Sequence, residues 1–169
     1  MGRSLLVVMA IALGISGCVA ERRVLTDPAS ARYELRDWPR GSVTVAVEDT
    51  RTRRNGDSER LTSVVKTVVN DALATAERPA SAPEQLRIAI RDHEVYLNGR
   101  HWDGFAHLRA ELIRNGRLLK SWEAYGEDRR WDRRIFQLPS FEDAEDSLHR
   151  AFERALDDLM AKLSRRPSP

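Results

Sequence analysis

The chain has 169 residues, which allows one domain of ordinary size rather than two. Hydrophobic residues make up 41% and charged residues 32%, and this balance excludes both a bilayer protein and a disordered polyelectrolyte. The formal net charge of +2 is too small to create the positive surface potential that nucleic-acid binding requires. The single cysteine excludes an intrachain disulfide and a multi-cysteine zinc site.

The first 17 residues have the pattern of a secretory signal. Arg3 gives a positive start, residues 4–15 carry no charge, and small residues precede Cys18. The uncharged run of about a dozen residues is shorter than the roughly 20 that a transmembrane helix needs. We therefore predict a signal peptide over residues 1–17.

The stretch Ile15-Ser16-Gly17-Cys18 resembles the bacterial lipobox. In lipoproteins with this motif the chain is cut before the cysteine, the thiol carries diacylglycerol, and the new amine is acylated. The resemblance implies a membrane anchor at Cys18, with the protein facing the periplasm. Residue 19 is Val rather than the Asp that retains enterobacterial lipoproteins at the inner membrane, which implies the outer membrane. The alternative is that Cys18 is an ordinary small residue near a cleavage site.

The mature chain divides into a tether, a domain and a tail. Residues 18–41 show no helical or strand period and contain two prolines, so we predict a lipidated N-terminus and tether there. Residues 42–163 are predicted to form a single domain, and residues 164–169 a disordered tail.

The domain is predicted to begin with a strand and a helix. Valines alternate with polar or small residues over residues 42–49, which indicates a half-buried strand. Asp57 or Ser58 then caps a helix whose apolar stripe covers residues 61–76.

A meander of three strands follows the helix. Leu86, Ile88 and Ile90 alternate with other residues, which predicts a strand that can extend to Leu97. Residues 98–104 are expected to form a wide connection to the next strand.

The second connection within the meander is a hairpin with an Asn115-Gly116 turn. A two-residue turn places Arg109 opposite Trp122 on the polar face of the sheet. It also turns Glu123 toward the core, so we expect a bulge or an early strand end near Glu123.

The last element is a helix. Ser140 and Asp143 form a capping-box pattern, and an apolar stripe runs over residues 144–163. The order strand, helix, three strands, helix predicts an α+β fold. It would be a two-layer sandwich with both helices on one face of a mostly antiparallel four-stranded sheet.

These patterns together resemble the YajG-type small bacterial lipoproteins and, more distantly, the LPS-assembly lipoproteins of the LptE-like kind. The motifs that carry the resemblance, besides the lipobox, are Asp49-Thr50-Arg51, the alternation from Leu86 to Ile90, Asn115-Gly116, and the ending from Ala155 to Leu163. The resemblance implies an envelope lipoprotein.

One candidate binding loop combines arginines with aromatic rings. Guanidinium groups bind phosphate in a bidentate manner, and the rings can insert beside acyl chains, which would suit LPS or phospholipid headgroups. The alternative is a solvated connector. The candidate residues are Arg129, Arg130, Trp131, Arg133, Arg134 and Phe136.

A second candidate loop contains Tyr96, Arg100 and Trp102. His93 and His107 are near in sequence, but their spacing is a weak signal for a ligand pair, so we predict no metal and no cofactor.

Asp49 and Arg51 are interpreted as an ion pair that orders a loop, with a partner contact as the alternative.

The chain is predicted not to be an enzyme, because it contains no G-x-S-x-G, H-E-x-x-H or P-loop motif. The leading hypothesis is an outer-membrane lipoprotein that supports an envelope complex or contacts LPS. Two alternatives stay open. One is an auxiliary lipoprotein of a lipid-transport ABC system that reaches its partner through the polar sheet face, and the other is an envelope hydrolase.

Overall fold

The computed structural model describes residues 33–52, 56–79, 82–99, 101–131 and 140–165. Its elements in chain order are β1 (Val43–Asp49), α1 (Ser58–Leu73), β2 (Glu84–Asn98), β3 (His101–Arg114), β4 (Arg117–Trp131) and α2 (Phe141–Ser164). The predicted order of elements and the α+β class are therefore confirmed.

The four strands form one sheet in the order β1-β2-β3-β4. β1 runs parallel to β2 because the chain returns through α1 between them, whereas the other two neighbours are antiparallel hairpins. The sheet is thus mixed and mostly antiparallel. The apolar sides of both helices meet the apolar sides of the strands in a single core.

The core contains the largest buried side chains of both layers. Ile88, Ile90 and Leu108 come from the sheet, and Val68 and Phe152 come from the helices, each at most 1% exposed. Valine is a poor helix former, so this burial rather than intrinsic propensity stabilises α1. At α2 the predicted capping box is present, with Ser140 and Asp143 bonded reciprocally.

Two glycines allow α2 to lie directly on β3 and β4. A Cβ at Gly104 would be 2.4 Å from the carbonyl oxygen of Ser147, and one at Gly126 would be 1.9 Å from that of Ala151. The buried Ser147 hydroxyl accepts a hydrogen bond from the Gly104 amide at 3.0 Å and donates one to the Asp128 carbonyl at 2.9 Å. Backbone and side chain therefore fix the position of α2 on the sheet.

Side chains of α2 also cover part of the outer edge of β4. Lys162 Nζ donates to the Glu123 carbonyl at 2.7 Å, and the Tyr125 amide donates to Asp158 Oδ2 at 3.1 Å. Arg154 donates to the Glu127 carbonyl. These backbone groups would otherwise be available to pair with a foreign strand.

Residues 33–41 belong to the domain, which corrects the predicted extent of the tether. Leu35 and Trp38 are 1% and 0% exposed, and Trp38 Nε1 donates to the Leu163 carbonyl at 2.9 Å. Two apolar side chains in an irregular segment give no periodic signal, which is why the pattern missed them. The signal peptide, residues 18–32 and residues 166–169 lie outside the described residues.

The β2–β3 hairpin is longer than predicted, and residues 98–104 are not a wide connection. Pairing continues to Asn98 opposite His101, so the second candidate loop is the end of a hairpin. Gly99 has φ +65°, which suits the tight turn that this pairing requires. The predicted extension of the second strand to Leu97 nearly reaches the observed end of β2, whereas the start of β3 at His101 was missed, because ladder hydrogen bonds come from the backbone and need no hydrophobic alternation.

The turn at Asn115-Gly116 is confirmed, with φ values of 51° and 72°. The register then shifts, because Ile113 pairs with Leu118 but Leu112 pairs with Lys120, which leaves Leu119 as a bulge.

This bulge lies earlier than the one predicted near Glu123, and it reverses the predicted facing of the residues that follow. A shift by one residue turns every later side chain to the other face. Arg109 is therefore opposite Glu123 rather than Trp122, and Trp122 enters the core with 6% exposure.

Candidate functional site

The sheet surface that faces away from both helices is called the open face. Its position follows from the register, since its side chains alternate with those of the core. Its charged and aromatic residues, with Ser121, are Glu48 on β1; Arg87, Asp92, Glu94 and Tyr96 on β2; Asp103, Phe105, His107, Arg109 and Glu111 on β3; and Ser121, Glu123, Tyr125, Glu127 and Arg129 on β4.

Three rings cross the open face diagonally, one from each of β2, β3 and β4. We call Tyr96, Phe105 and Tyr125 the aromatic band. Tyr96 and Tyr125 are 55% and 49% exposed, and the ring centroids of Phe105 and Tyr125 are 6.3 Å apart. Aromatic side chains at this exposure offer apolar area together with polar edges, as binding surfaces do.

His107 lies beside the aromatic band and contacts two carboxylates. Its Nε2 is 2.7 Å from Glu123 Oε2, and its Nδ1 is 3.3 Å from Asp92 Oδ2. The imidazole also stacks on Tyr125, with centroids 4.4 Å apart.

Arg109 extends this row of charges. Its Nη2 is 2.7 Å from Glu111 Oε1, and its Nε is 3.6 Å from Glu123 Oε1. The guanidinium of Arg109 is therefore already paired with acidic neighbours.

The first candidate loop is partly a strand. Arg129 lies in β4, and the backbone of Arg130 and Trp131 completes that strand. Arg129 Nε is 2.9 Å from Asp103 Oδ1. Hydrogen bonds from Asn98 and then Arg129 lower the pKa of Asp103.

The rest of that candidate loop is not described. The side chains of Arg130 and Trp131 and the whole of Arg133, Arg134 and Phe136 lie outside the described residues. Their predicted role in binding stays a prediction.

The members of the second candidate loop do not form one site. Tyr96 belongs to the open face, whereas Trp102 points to the helix side, where its ring lies 6.5 Å from that of Phe141. Successive strand residues alternate between faces, so a site built from both would have to span the sheet. Arg100 lies outside the described residues.

A buried ionic cluster joins the end of β1 to the start of α1. Its members are Asp49, Arg51, Asp57 and His93. Arg51 binds Asp49 in bidentate fashion, with Nε–Oδ1 and Nη2–Oδ2 distances of 2.9 and 2.7 Å, and its Nη2 lies 2.7 Å from Asp57 Oδ1. The Asp49 and Arg51 side chains are 2% and 3% exposed. The predicted ion pair is thus confirmed, and the contact of Arg51 with Asp57 links it to the start of α1.

Asp57 contributes to this cluster instead of capping α1. It occupies the N-cap position without a side-chain cap bond, and its Oδ2 lies 3.4 Å from His93 Nδ1. The hydrogen bond with His93, followed by that with Arg51, lowers the pKa of Asp57 against the effect of burial. The hydrogen bond from Arg51 lowers the pKa of Asp49 to about 2, and the bond to Asp49 raises the pKa of Arg51.

The two histidines of interest lie on opposite sides of the sheet. His93 faces α2 and packs edge-on against Phe152 at 5.3 Å, whereas His107 is on the open face. They cannot share a ligand. Within the described part of the chain, no group of three or more His, Cys, Asp or Glu residues could hold a metal ion.

Solved structures with a similar fold come from several bacteria. A homolog of neuraminyllactose-binding hemagglutinin from Helicobacter pylori has a TM-score of 0.50 and 8% identity, over 77% of this chain and 87% of that one. A DUF330 protein from Xanthomonas campestris has a TM-score of 0.47 and 15% identity, over 78% and 84%. A lipoprotein from Neisseria meningitidis has a TM-score of 0.40 and 13% identity, over 52% and 82%.

Identities this low are informative about the fold alone. No protein-family model and no curated protein matches the chain. The narrower resemblance to YajG-type and LptE-like lipoproteins stays a prediction. Among the described residues, no helix has both the length and the apolar character needed to cross a bilayer.

Proposed function

We propose that this chain is a lipid-anchored lipoprotein of the bacterial outer membrane that faces the periplasm and has a non-catalytic binding role. The observation that carries the proposal is the position of Cys18. This cysteine, the only one in the chain, directly follows an uncharged run and the small residues Ser16 and Gly17. Two or more acyl chains on that residue would anchor the protein stably, where a single chain would not.

The folded domain begins close to the proposed anchor. Residues 19–32, fourteen in number, separate Cys18 from Tyr33, the first described residue. A chain of that length reaches at most about 50 Å when fully extended. The Trp38 indole donates a hydrogen bond to the Leu163 carbonyl, so the chain enters the domain beside the C-terminal end of α2. Lipidation would therefore hold that end of the domain near the membrane.

The open face is the surface that best supports a binding role. It carries the half-exposed aromatic band with carboxylates around it. The arginine-rich segment is a weaker candidate for binding LPS phosphates, because Arg129 is already paired with Asp103. We therefore place partner binding, to an envelope protein complex, on the open face.

Palmitate labelling combined with membrane fractionation tests the anchor. The wild-type protein should incorporate labelled palmitate and sediment with outer membranes, whereas Cys18→Ser should do neither. Ser16→Ala is the matched control, because it preserves the small residue before the cut, and it should behave as wild type. In an enterobacterial host, Val19→Asp should move the labelled protein to the inner membrane. Equal labelling of the wild type and Cys18→Ser would contradict the proposal.

A further inference from the structure

The open face carries an excess of acid in a chain whose net charge is +2. It has three arginines, Arg87, Arg109 and Arg129, or four with Arg91, which is the extra residue where the β2–β3 register shifts between Ile90 and Asp92. Against them stand seven carboxylates, those of Glu48, Asp92, Glu94, Asp103, Glu111, Glu123 and Glu127. A surface of this sign attracts cationic partners and repels anionic ones.

Several of these charges are paired with an opposite charge within the face, whereas the carboxylates of Glu94 and Glu127 have no such ion pair among the described residues. Arg109 and His107 share Glu123, and Arg129 binds Asp103. Glu94 accepts a hydrogen bond from Tyr96. Among the residues that the structure describes, neither Glu94 nor Glu127 is within ion-pair distance of a lysine or arginine.

These two carboxylates flank one aromatic ring. Glu94, Phe105 and Glu127 form a single cross-strand row over β2, β3 and β4. Neighbouring strands are about 4.8 Å apart, so the backbones that carry the two carboxylates are separated by about 10 Å. A planar cation on the face of the Phe105 ring could reach a carboxylate on either side, combining cation–π attraction with charge-assisted hydrogen bonds.

We propose that the open face docks a basic peptide segment of a partner protein, with an arginine side chain over Phe105 between Glu94 and Glu127. The aromatic band provides the apolar contact for the stem of that side chain and for its neighbours. This inference rests on the proposed function for the assignment of binding to the open face, but it does not depend on the anchor. The excess of carboxylates favours a cationic peptide over an uncharged glycan, whose hydroxyls do not require negative charge.

Calorimetric titration of the full-length protein in detergent tests the inference, with an arginine hexapeptide as the probe. The peptide should bind and should shift the ring resonances of Tyr96 and Tyr125 in NMR spectra. The double variant Glu94→Gln/Glu127→Gln should bind about tenfold more weakly or worse, because both charge-assisted bonds are lost. Phe105→Leu should also weaken binding while keeping an apolar side chain at that position.

The matched control removes the same charge elsewhere. Glu59→Gln/Glu77→Gln changes two acidic residues away from the open face, one in the first turn of α1 and one in the segment that follows this helix, and should leave the affinity within about twofold of wild type. Equal weakening by both double variants would show diffuse attraction by net charge and would overturn the inference. Binding of an uncharged chito-oligosaccharide that is insensitive to Glu94→Gln/Glu127→Gln, or no peptide binding at low salt, would also overturn it. The mass of the same preparation reports lipidation separately, so failure of the anchor is distinguished from failure of the docking site.

Discussion

The carbonyl oxygen of Ala151 in α2 lies so close to Gly126 in β4 that a Cβ on residue 126 would be only 1.9 Å from it. This carbonyl oxygen belongs to the backbone of α2, so it cannot make room for a Cβ by a change of rotamer as a side chain can. Residue 126 therefore sets the separation between the second helix and the sheet, and the same close approach recurs at Gly104.

We expect Gly126→Ala to destabilise the domain by about 2 kcal/mol or more, because α2 must move off the sheet to admit the methyl group. Urea denaturation measures this change. Ser121→Ala, at an exposed position of the same strand, is the control and should stay within about 0.5 kcal/mol of wild type. An unchanged unfolding midpoint for Gly126→Ala would contradict the observed packing.

Loss of Arg51 should be costly because it leaves two buried carboxylates without their cation. We expect Arg51→Met to lower the free energy of unfolding by about 3–5 kcal/mol. Arg51→Lys should not restore stability, since an ammonium cannot reproduce the bidentate contact with Asp49. The control is Arg36→Met in the exposed pair with Glu34, where the change should be at most about 1 kcal/mol. Similar losses at the two positions would refute the structural role of the cluster.

The same cluster should make the protein sensitive to acid. The pKa of Asp49 is lowered from 3.8 to about 2, and that of Asp57 is also lowered. A carboxyl group with a depressed pKa contributes stability above its ordinary pKa and loses it as the pH falls through the folded value. Stability should therefore decline between about pH 4 and pH 2, and Asp49→Asn should flatten this decline. Identical pH profiles for wild type and Asp49→Asn would exclude Asp49 as a cause.

The covered edge of β4 provides a further test. Lys162→Met keeps the apolar stem but removes the donor to the Glu123 carbonyl and the cation beside Asp158, which should cost about 1 kcal/mol. The exposed edge should also promote self-association, detectable by light scattering. Lys66→Met on the exposed side of α1 is the control. If the two variants were equally stable and equally monomeric, the contact with the β4 edge would have no protective role.

The order of elements could be predicted because each has its own period or cap. The stripe of α2, the capping box at Ser140 and the turn at Asn115-Gly116 are all local signals, and all are confirmed. The bulge at Leu119 could not be predicted from local signals. The choice between a regular hairpin and a bulge depends on which register buries Trp122, and that is decided by tertiary packing.

The candidate sites depended still more on tertiary structure. Tyr96 and Trp102 are near in sequence but lie on opposite faces, whereas Tyr96, Phe105 and Tyr125 meet only because three strands align. Strand length alone would not have placed these three residues on one face, because the facing of Tyr96 depends on a bulge between Ile90 and Asp92 and that of Tyr125 on the bulge at Leu119. The role of Asp57 could not be predicted, because a helix N-cap and an ion-pair partner use the same residue type.

The intact mass of the mature protein extracted from membranes tests the central claim most directly. We expect a polypeptide that begins at Cys18 and carries the added mass of diacylglycerol and one further acyl chain. A chain that retains residues 1–17, or one that begins elsewhere and lacks lipid, would contradict the account.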